Sequence, residues 1–188
     1  MGLQPHCTVS QMKPISIEEA MNNNSQINEG GCTCGHVRYQ VISPPLIVHC
    51  CHCRDCQKNS GSTFALNALF EADRVELLSG EIETVTVPTP SGTGQDISRC
   101  YKCKVAVWSN YNMGGLRERI RFIRVGTLDE PYRFSPDVHI YCRSKHPWVI
   151  LLKEDLSVDE FYEFKETWSA DSMERLAKIK ELARNLNS

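Results

Sequence analysis

The chain has 188 residues, 41% of them hydrophobic and 23% charged, and its formal net charge is -2. That length suits one domain with a sizeable core, and the balance argues against disorder over most of it. With no Lys/Arg run or basic excess, nucleic acid is excluded as a main partner, and no apolar stretch approaches the ~20 residues that span a bilayer.

Residues 1–28 lack a hydrophobic signal-peptide core, contain Asn22-Asn23-Asn24, and read as a loosely ordered leader. Gly2 invites myristoylation, but His6 stands where that motif needs Ser or Thr. We therefore expect a reducing, cytoplasmic setting, in which clustered cysteines bind metal rather than form disulfides. From Gly30 to about Leu152 the pattern is one of short strands. His36–Val41 alternates apolar and polar, and Thr63–Phe70 has the composition of a buried strand. Val75–Leu78, Ile82–Val87, Val105–Trp108, Ile120–Val125 and Val138–Tyr141 continue the series. Ser79-Gly80, Pro88–Gly94, Gly114-Gly115 and Asp129-Glu130-Pro131 punctuate it. Asp55–Ser60 reads as a helical turn, and Pro88–Gly94 as a hairpin loop, with a mobile flap as the alternative. Strands at this density without interleaved long helices predict a mainly β, antiparallel domain over residues 29–152. Residues 153–188 predict a helical extension packed on it. Ser157-x-x-Glu160 has the form of a capping box, and Asp171 would cap a helix with the stripe Met173, Leu176, Ala177, Ile179, Ala183 and Leu186.

Ten cysteines are present, and seven of them fall in three clusters: Cys32-x-Cys34, Cys51-x-Cys53-x-x-Cys56 and Cys100-x-x-Cys103. Cys32, Cys34, Cys100 and Cys103 supply four thiolates from two distant turns, a complete tetrahedral structural zinc site. Cys51, Cys53 and Cys56 supply three, which leaves one coordination position for water or substrate. In an extended segment Cys51 and Cys53 share a face while Cys50 and His52 point the other way. Cys50 is accordingly read as a core thiol. His49 lies on the Cys51 face and could close the shell. In the alternative reading all seven cysteines are structural, with His49 or His52 as the eighth ligand. Cys142 reads as a buried strand residue, and Cys7 in the leader is given no role. Two Zn2+ ions per chain are thus expected, one structural and one catalytic.

The run Gly30-Gly31-Cys32-Thr33-Cys34-Gly35 followed by Cys51-His52-Cys53-Arg54-Asp55-Cys56-Gln57-Lys58 resembles the glutathione-dependent formaldehyde-activating enzyme family, which includes centromere protein V. Cys100-x-x-Cys103, Val125–Asp129 and Pro136–Trp148 follow in the family's order, so the resemblance covers about residues 30–150. It implies an Mss4-like zinc-stabilised antiparallel β fold, the same structural ligand set, a reactive ion at the three-cysteine cluster, and carbon–sulfur lyase activity. Lys104 departs from the family's usual glycine, and Gln57 from a frequent arginine.

Three thiolates on zinc suit exchange of a soft ligand. An incoming thiol would lose its proton there and attack an aldehyde, or the reverse step would release both. The expected partner is a small-molecule thiol or thiol adduct such as glutathione. Arg54 and Lys58 are the candidate contacts for its carboxylates, with Arg143 and Lys145 behind them. His52 is a weaker candidate as proton carrier, because it points away from the cluster. A zinc-stabilised interaction module and a glutathione carrier without turnover are the competing functions.

Overall fold

A computed structural model describes residues 27–185. The expected leader with Cys7 falls almost wholly outside the described residues, as does Leu186. Ten strands are formed: β1 Asn28–Gly31, β2 Arg38–Val41, β3 Ile47–Cys51, β4 Ala65–Glu71, β5 Val75–Ser79, β6 Ile82–Val87, β7 Gln95–Cys100, β8 Ala106–Tyr111, β9 Ile120–Arg124 and β10 Val138–Ile140. Helix α1, Arg54–Ser60, follows β3, and α2 (Phe164–Thr167) and α3 (Ala170–Asn185) close the chain. None of these helices is long and apolar enough to cross a membrane. The fold is mainly β, as the turn-punctuated short strands predict.

The strands form two sheets, ordered β1-β2-β5 and β10-β3-β4-β9-β8-β7-β6. Every named strand pair is antiparallel except β10 with β3, which places Ile140 opposite Cys51 and His139 opposite Cys50. The β6–β7 hairpin is joined by Pro88–Gly94.

Alternation in the larger sheet feeds two cores. Val48, Ala68, Phe70 and Ile123 face the smaller sheet and pack with Val37, Tyr39, Val41 and Val75. Ile47, Leu69, Ile120 and Val138 face the other way and pack with Tyr162, Trp168, Leu176 and Ile179. Because side chains on a strand alternate between faces, β3 contributes to both cores at once. That property later separates its cysteines. Three strands lay outside the sequence reading. β1 and β7 are weak in strand formers, and β3 is buried at every position, so neither shows a clean alternation. β1 closes by steric fit: a Cβ on Gly30 would stand 2.6 Å from both Thr127 O and Tyr39 Oη, so only glycine admits this approach.

The C-terminal reading needs correction. Ser157 caps no helix. Its segment runs beside β10 instead, with the His139 amide donating to Leu156 O and the Val158 amide to His139 O. Residues 153–163 are therefore irregular, and helix begins at Phe164. The cap of α3 is Ser169, whose Oγ accepts the Ser172 amide at 3.1 Å, while Asp171 sits inside the first turn. Leu176 and Ile179 are buried, but Ala177 is exposed, so the stripe is narrower than expected. Cys142 is half-buried in a 3-10 turn, Cys142–Ser144, rather than in a strand.

Candidate metal centres

The Sγ atoms of Cys32, Cys34, Cys100 and Cys103 all lie within 4.8 Å of one another. Thiolates arranged tetrahedrally around zinc stand about 3.8 Å apart, and Cys34 Sγ is 3.8 Å from Cys100 Sγ and 3.4 Å from Cys32 Sγ. Backbone amides point at the sulfurs: Val37 N–H donates to Cys32 Sγ at 3.3 Å and Cys103 N–H to Cys100 Sγ at 3.5 Å. Such donors favour thiolate over thiol. Burial works against the Cys32 anion, but the Val37 amide and neighbouring thiols outweigh it and bring the group down to about 6. The donor set fits zinc.

Both turns of this site end on a left-handed residue. Gly35 has φ +73, and Lys104 adopts φ +62 in the equivalent place after Cys103. The glycine departure at Lys104 thus leaves the turn intact, at a backbone cost of about 1 kcal/mol. Its amide donates to Cys100 O at 2.9 Å, and its ammonium pairs with Glu83 while lying 4.7 Å from the Tyr101 ring centre.

The second cluster is built from one short segment. Cys51 ends β3, and Cys53 is the N-cap of α1, its sulfur accepting the Cys56 amide at 3.3 Å. Cys56 follows in the first turn of the helix, and all three sulfurs lie within 4.8 Å of one another. Hydrogen bonds from Cys51 and Cys56 favour the Cys53 thiolate, whereas hydrogen bonds with Cys53 and Cys56, and then burial, push the Cys51 thiol up. Three sulfurs this close cannot all ionise unaided, and a divalent cation is what would let them.

His49 does not join this group. Its Nε2 lies 2.5 Å from Tyr162 Oη, and the same hydroxyl accepts Trp168 Nε1–H at 2.7 Å. Burial holds His49 down to about 3, so it is a neutral acceptor that pins the C-terminal segment to β3. Cys50 and His52 point to the opposite face, as strand alternation predicts, and meet His139 there.

The expected substrate cations lie at or near the surface, three of them with partners of their own. Arg54 is exposed and donates to Gln57 Oε1 at 2.6 Å, and Lys58 is exposed on the outer side of α1. Arg143 pairs with Glu160, and Lys145 donates to Val149 O at 2.5 Å. Gln57 is buried and ties α1 to its surroundings, donating to His52 O at 2.7 Å and Ser144 O at 3.0 Å. Two groups that feel the charges of the three sulfurs were not found from sequence. Arg124, half-buried at the end of β9, bonds Asn67 Oδ1 at 2.6 Å. Burial lowers it, while the charges of Cys56, Cys51 and Cys53 act in the opposite sense. Tyr141 holds φ +57, a conformation that bulky residues rarely adopt. Its phenol is raised by burial and by the charges of Cys51 and Cys53. The signal available beforehand for Arg124 was a charge inside an otherwise apolar strand. Tyr141 carried none.

The chain is similar to several known proteins. A protein of Halomonas elongata named "Putative glutathione-dependent formaldehyde-activating enzyme" is 32% identical over 84 residues, 43% of this chain. That match spans about half of the relative's length, 54%. A crystal structure of a Rhodobacter sphaeroides protein superposes with a TM-score of 0.41 at 18% identity, covering 54% of this chain and 87% of that one. The sequence profile of one family, described as glutathione-dependent formaldehyde-activating enzyme, matches residues 27–144, which take in all three cysteine clusters. By that match the chain belongs to the glutathione-dependent formaldehyde-activating enzyme family, whose fold is Mss4-like.

Proposed function

We propose that this protein makes and breaks the C–S bond between a small-molecule thiol, glutathione in the first instance, and an aldehyde, formaldehyde in the first instance. The observation that carries the reading is the three-sulfur cluster itself. Protein donors converge on one point and stop at three among the described residues, because His49 is engaged by Tyr162. A zinc ion held by those sulfurs supplies a position at which an incoming thiol gives up its proton near neutral pH.

The chain's own residues have defined parts. Cys51, Cys53 and Cys56 hold the ion, and the Cys53 cap fixes two of them to the rigid start of α1. Arg124 offsets the surplus negative charge of three thiolates and favours entry of a further anion. Tyr141 keeps its proton at neutral pH and feels the charges of Cys51 and Cys53, so it is suited to protonate the aldehyde oxygen. In the forward direction the thiol sulfur bonds to the carbonyl carbon and the C=O π pair moves to oxygen. Oxygen takes the Tyr141 proton, and the proton lost by the thiol restores the phenol. The reverse sequence releases thiol and aldehyde. Arg54 and Lys58 keep a part as outer contacts for substrate carboxylates on an exposed helix face. Residues 29–152 form the catalytic unit and residues 153–188 an extension held on it, in a reducing compartment such as the cytoplasm. The Cys32, Cys34, Cys100 and Cys103 site is structural.

A second reading, a zinc-stabilised interaction module or a thiol carrier without turnover, rests on one observation. Trp148, Ile150 and Leu152 are 67%, 88% and 64% exposed, an apolar strip on a short segment. Exchange NMR with labelled formaldehyde and glutathione separates the two. The catalytic reading predicts that the zinc-loaded protein accelerates exchange between free aldehyde and its adduct, and that Cys53→Ser abolishes this. Binding of the thiol without acceleration would establish the carrier reading instead.

A further inference from the structure

The alternation along β3 and the two residues after it sends Cys51 and Cys53 to one side and Cys50 and His52 to the other. There the parallel pairing with β10 sets His139 directly opposite Cys50. The three side chains form a separate group: Cys50 Sγ, one His52 nitrogen and one His139 nitrogen all lie within 4.8 Å of one another. Their residues are 2%, 0% and 8% exposed, so the cluster is interior.

We propose that Cys50, His52 and His139 bind a third metal ion, a thiophilic ion of the Zn2+ or Cu+ class, independently of the reading given for the three-sulfur cluster.

The geometry carries the proposal first. Tetrahedral zinc with its usual bond lengths places a thiolate about 3.6 Å from an imidazole nitrogen and two such nitrogens about 3.3 Å apart. Here Cys50 Sγ is 3.6 Å from His52 Nε2, and His52 Nε2 is 3.0 Å from His139 Nδ1. The sulfur spacing already matches, and the nitrogens need to part by only a few tenths of an ångström. One thiolate with two imidazoles is a donor set for Zn2+ and Cu+, not for hard ions such as Mg2+ or Ca2+.

The outer contacts point the same way. Histidine ligands commonly turn their second nitrogen to a carboxylate, which fixes the ring and raises its basicity. His139 presents Nδ1 to the cluster and Nε2 to Asp155, whose Oδ2 lies 3.8 Å away. The His52 and His139 rings stack at 5.3 Å between centres with 20° between planes, and Phe64 packs edge-on against His52 at 5.5 Å. The rings are therefore held in place before any ion arrives.

Cys50 Sγ, His52 Nε2 and His139 Nδ1 meet in the interior. A single hydrogen bond between two imidazoles is a weak compensation for burying all three polar groups. An ion held by these three atoms would offset that cost, whereas His52 Nδ1, the other ring nitrogen, has no hydrogen-bond partner and takes no part in the site.

The test is metal content of the full chain, purified after growth with zinc and, separately, reconstituted with Cu+. The proposal predicts three ions per chain, one for each cluster, with Cys50→Ser and His139→Ala each losing one ion while the three-sulfur site stays loaded. A wild-type value of two, unchanged in Cys50→Ser, overturns it. Should these variants fail to fold, cobalt titration of the metal-stripped wild type decides. A third equivalent whose sulfur-to-cobalt absorption is that of a single thiolate supports the site, and uptake ending at two equivalents refutes it. A third ion counts for the proposal whether it proves to be zinc or copper.

Discussion

The two sulfur clusters use the same local device and differ in where their ligands come from. In both, a backbone amide three residues on donates to a cysteine sulfur, as Cys103 N–H does to Cys100 and Cys56 N–H does to Cys53. Yet the four-sulfur set joins residues 66 apart in sequence, whereas the three-sulfur set lies within six consecutive residues. An ion at the first site closes a long loop and welds the start of the smaller sheet to the end of β7. An ion at the second merely decorates the junction of β3 and α1, which β-sheet pairing and the α1 caps already hold. On the proposed reading, sequence separation of the ligands would decide which ion the fold depends on and which it can release to chemistry.

The largest break in that comparison comes from Cys100→Ser. Structural zinc contributes roughly 10–16 kcal/mol of apparent binding energy, against a net domain stability of about 5–15 kcal/mol. Removing one buried thiolate of four should abolish the cooperative thermal transition, read by calorimetry. A full transition at nearly the wild-type temperature would show that the long-range site is not what holds the sheets together.

A smaller effect sharpens the other side. Arg124→Gln keeps a partner for Asn67 but removes the charge that feels the three sulfurs. Outer contacts of this kind are worth about 10–100-fold in activity or metal affinity. We expect turnover to fall by about that factor while the unfolding temperature moves little. An equal loss of stability and activity would make Arg124 a packing residue. The smallest effect belongs to Arg54→Ala and Lys58→Ala. Both side chains are exposed, so each should raise KM by less than about threefold, in keeping with the ~0–1 kcal/mol typical of exposed charge contacts. A tenfold rise in KM with kcat unchanged would place the substrate carboxylate on α1.

How far these regions could be read in advance follows the same division. Local signals carried: the cysteine spacing foretold both sulfur sets, and strand alternation foretold that Cys50 and His52 would face away from Cys51 and Cys53. Turn residues placed most strands to within a few positions. What failed depends on register. Arg124 and Tyr141 come under the influence of the three-sulfur cluster only because β9 and β10 sit where they do in the larger sheet, and no spacing announces that. Ser157 and Glu160 spell a helix start, but pairing beside β10 overrides the local preference. His49 was a candidate ligand by its face, and the distant Tyr162 claims it. Lys104 shows the reverse case, a residue unsuited to a left-handed turn that the completed knuckle holds there all the same.

Release of one ion without loss of the fold is what would set the three-sulfur cluster apart from the four-sulfur one. Metal content, calorimetry and adduct exchange measured together on Cys53→Ser test it most directly. The prediction is one ion fewer than wild type, a cooperative transition within about 1–2 kcal/mol of it, and no exchange activity. Loss of the transition, or an unchanged ion count with activity intact, would contradict the assignment of the three-sulfur cluster as the reactive centre.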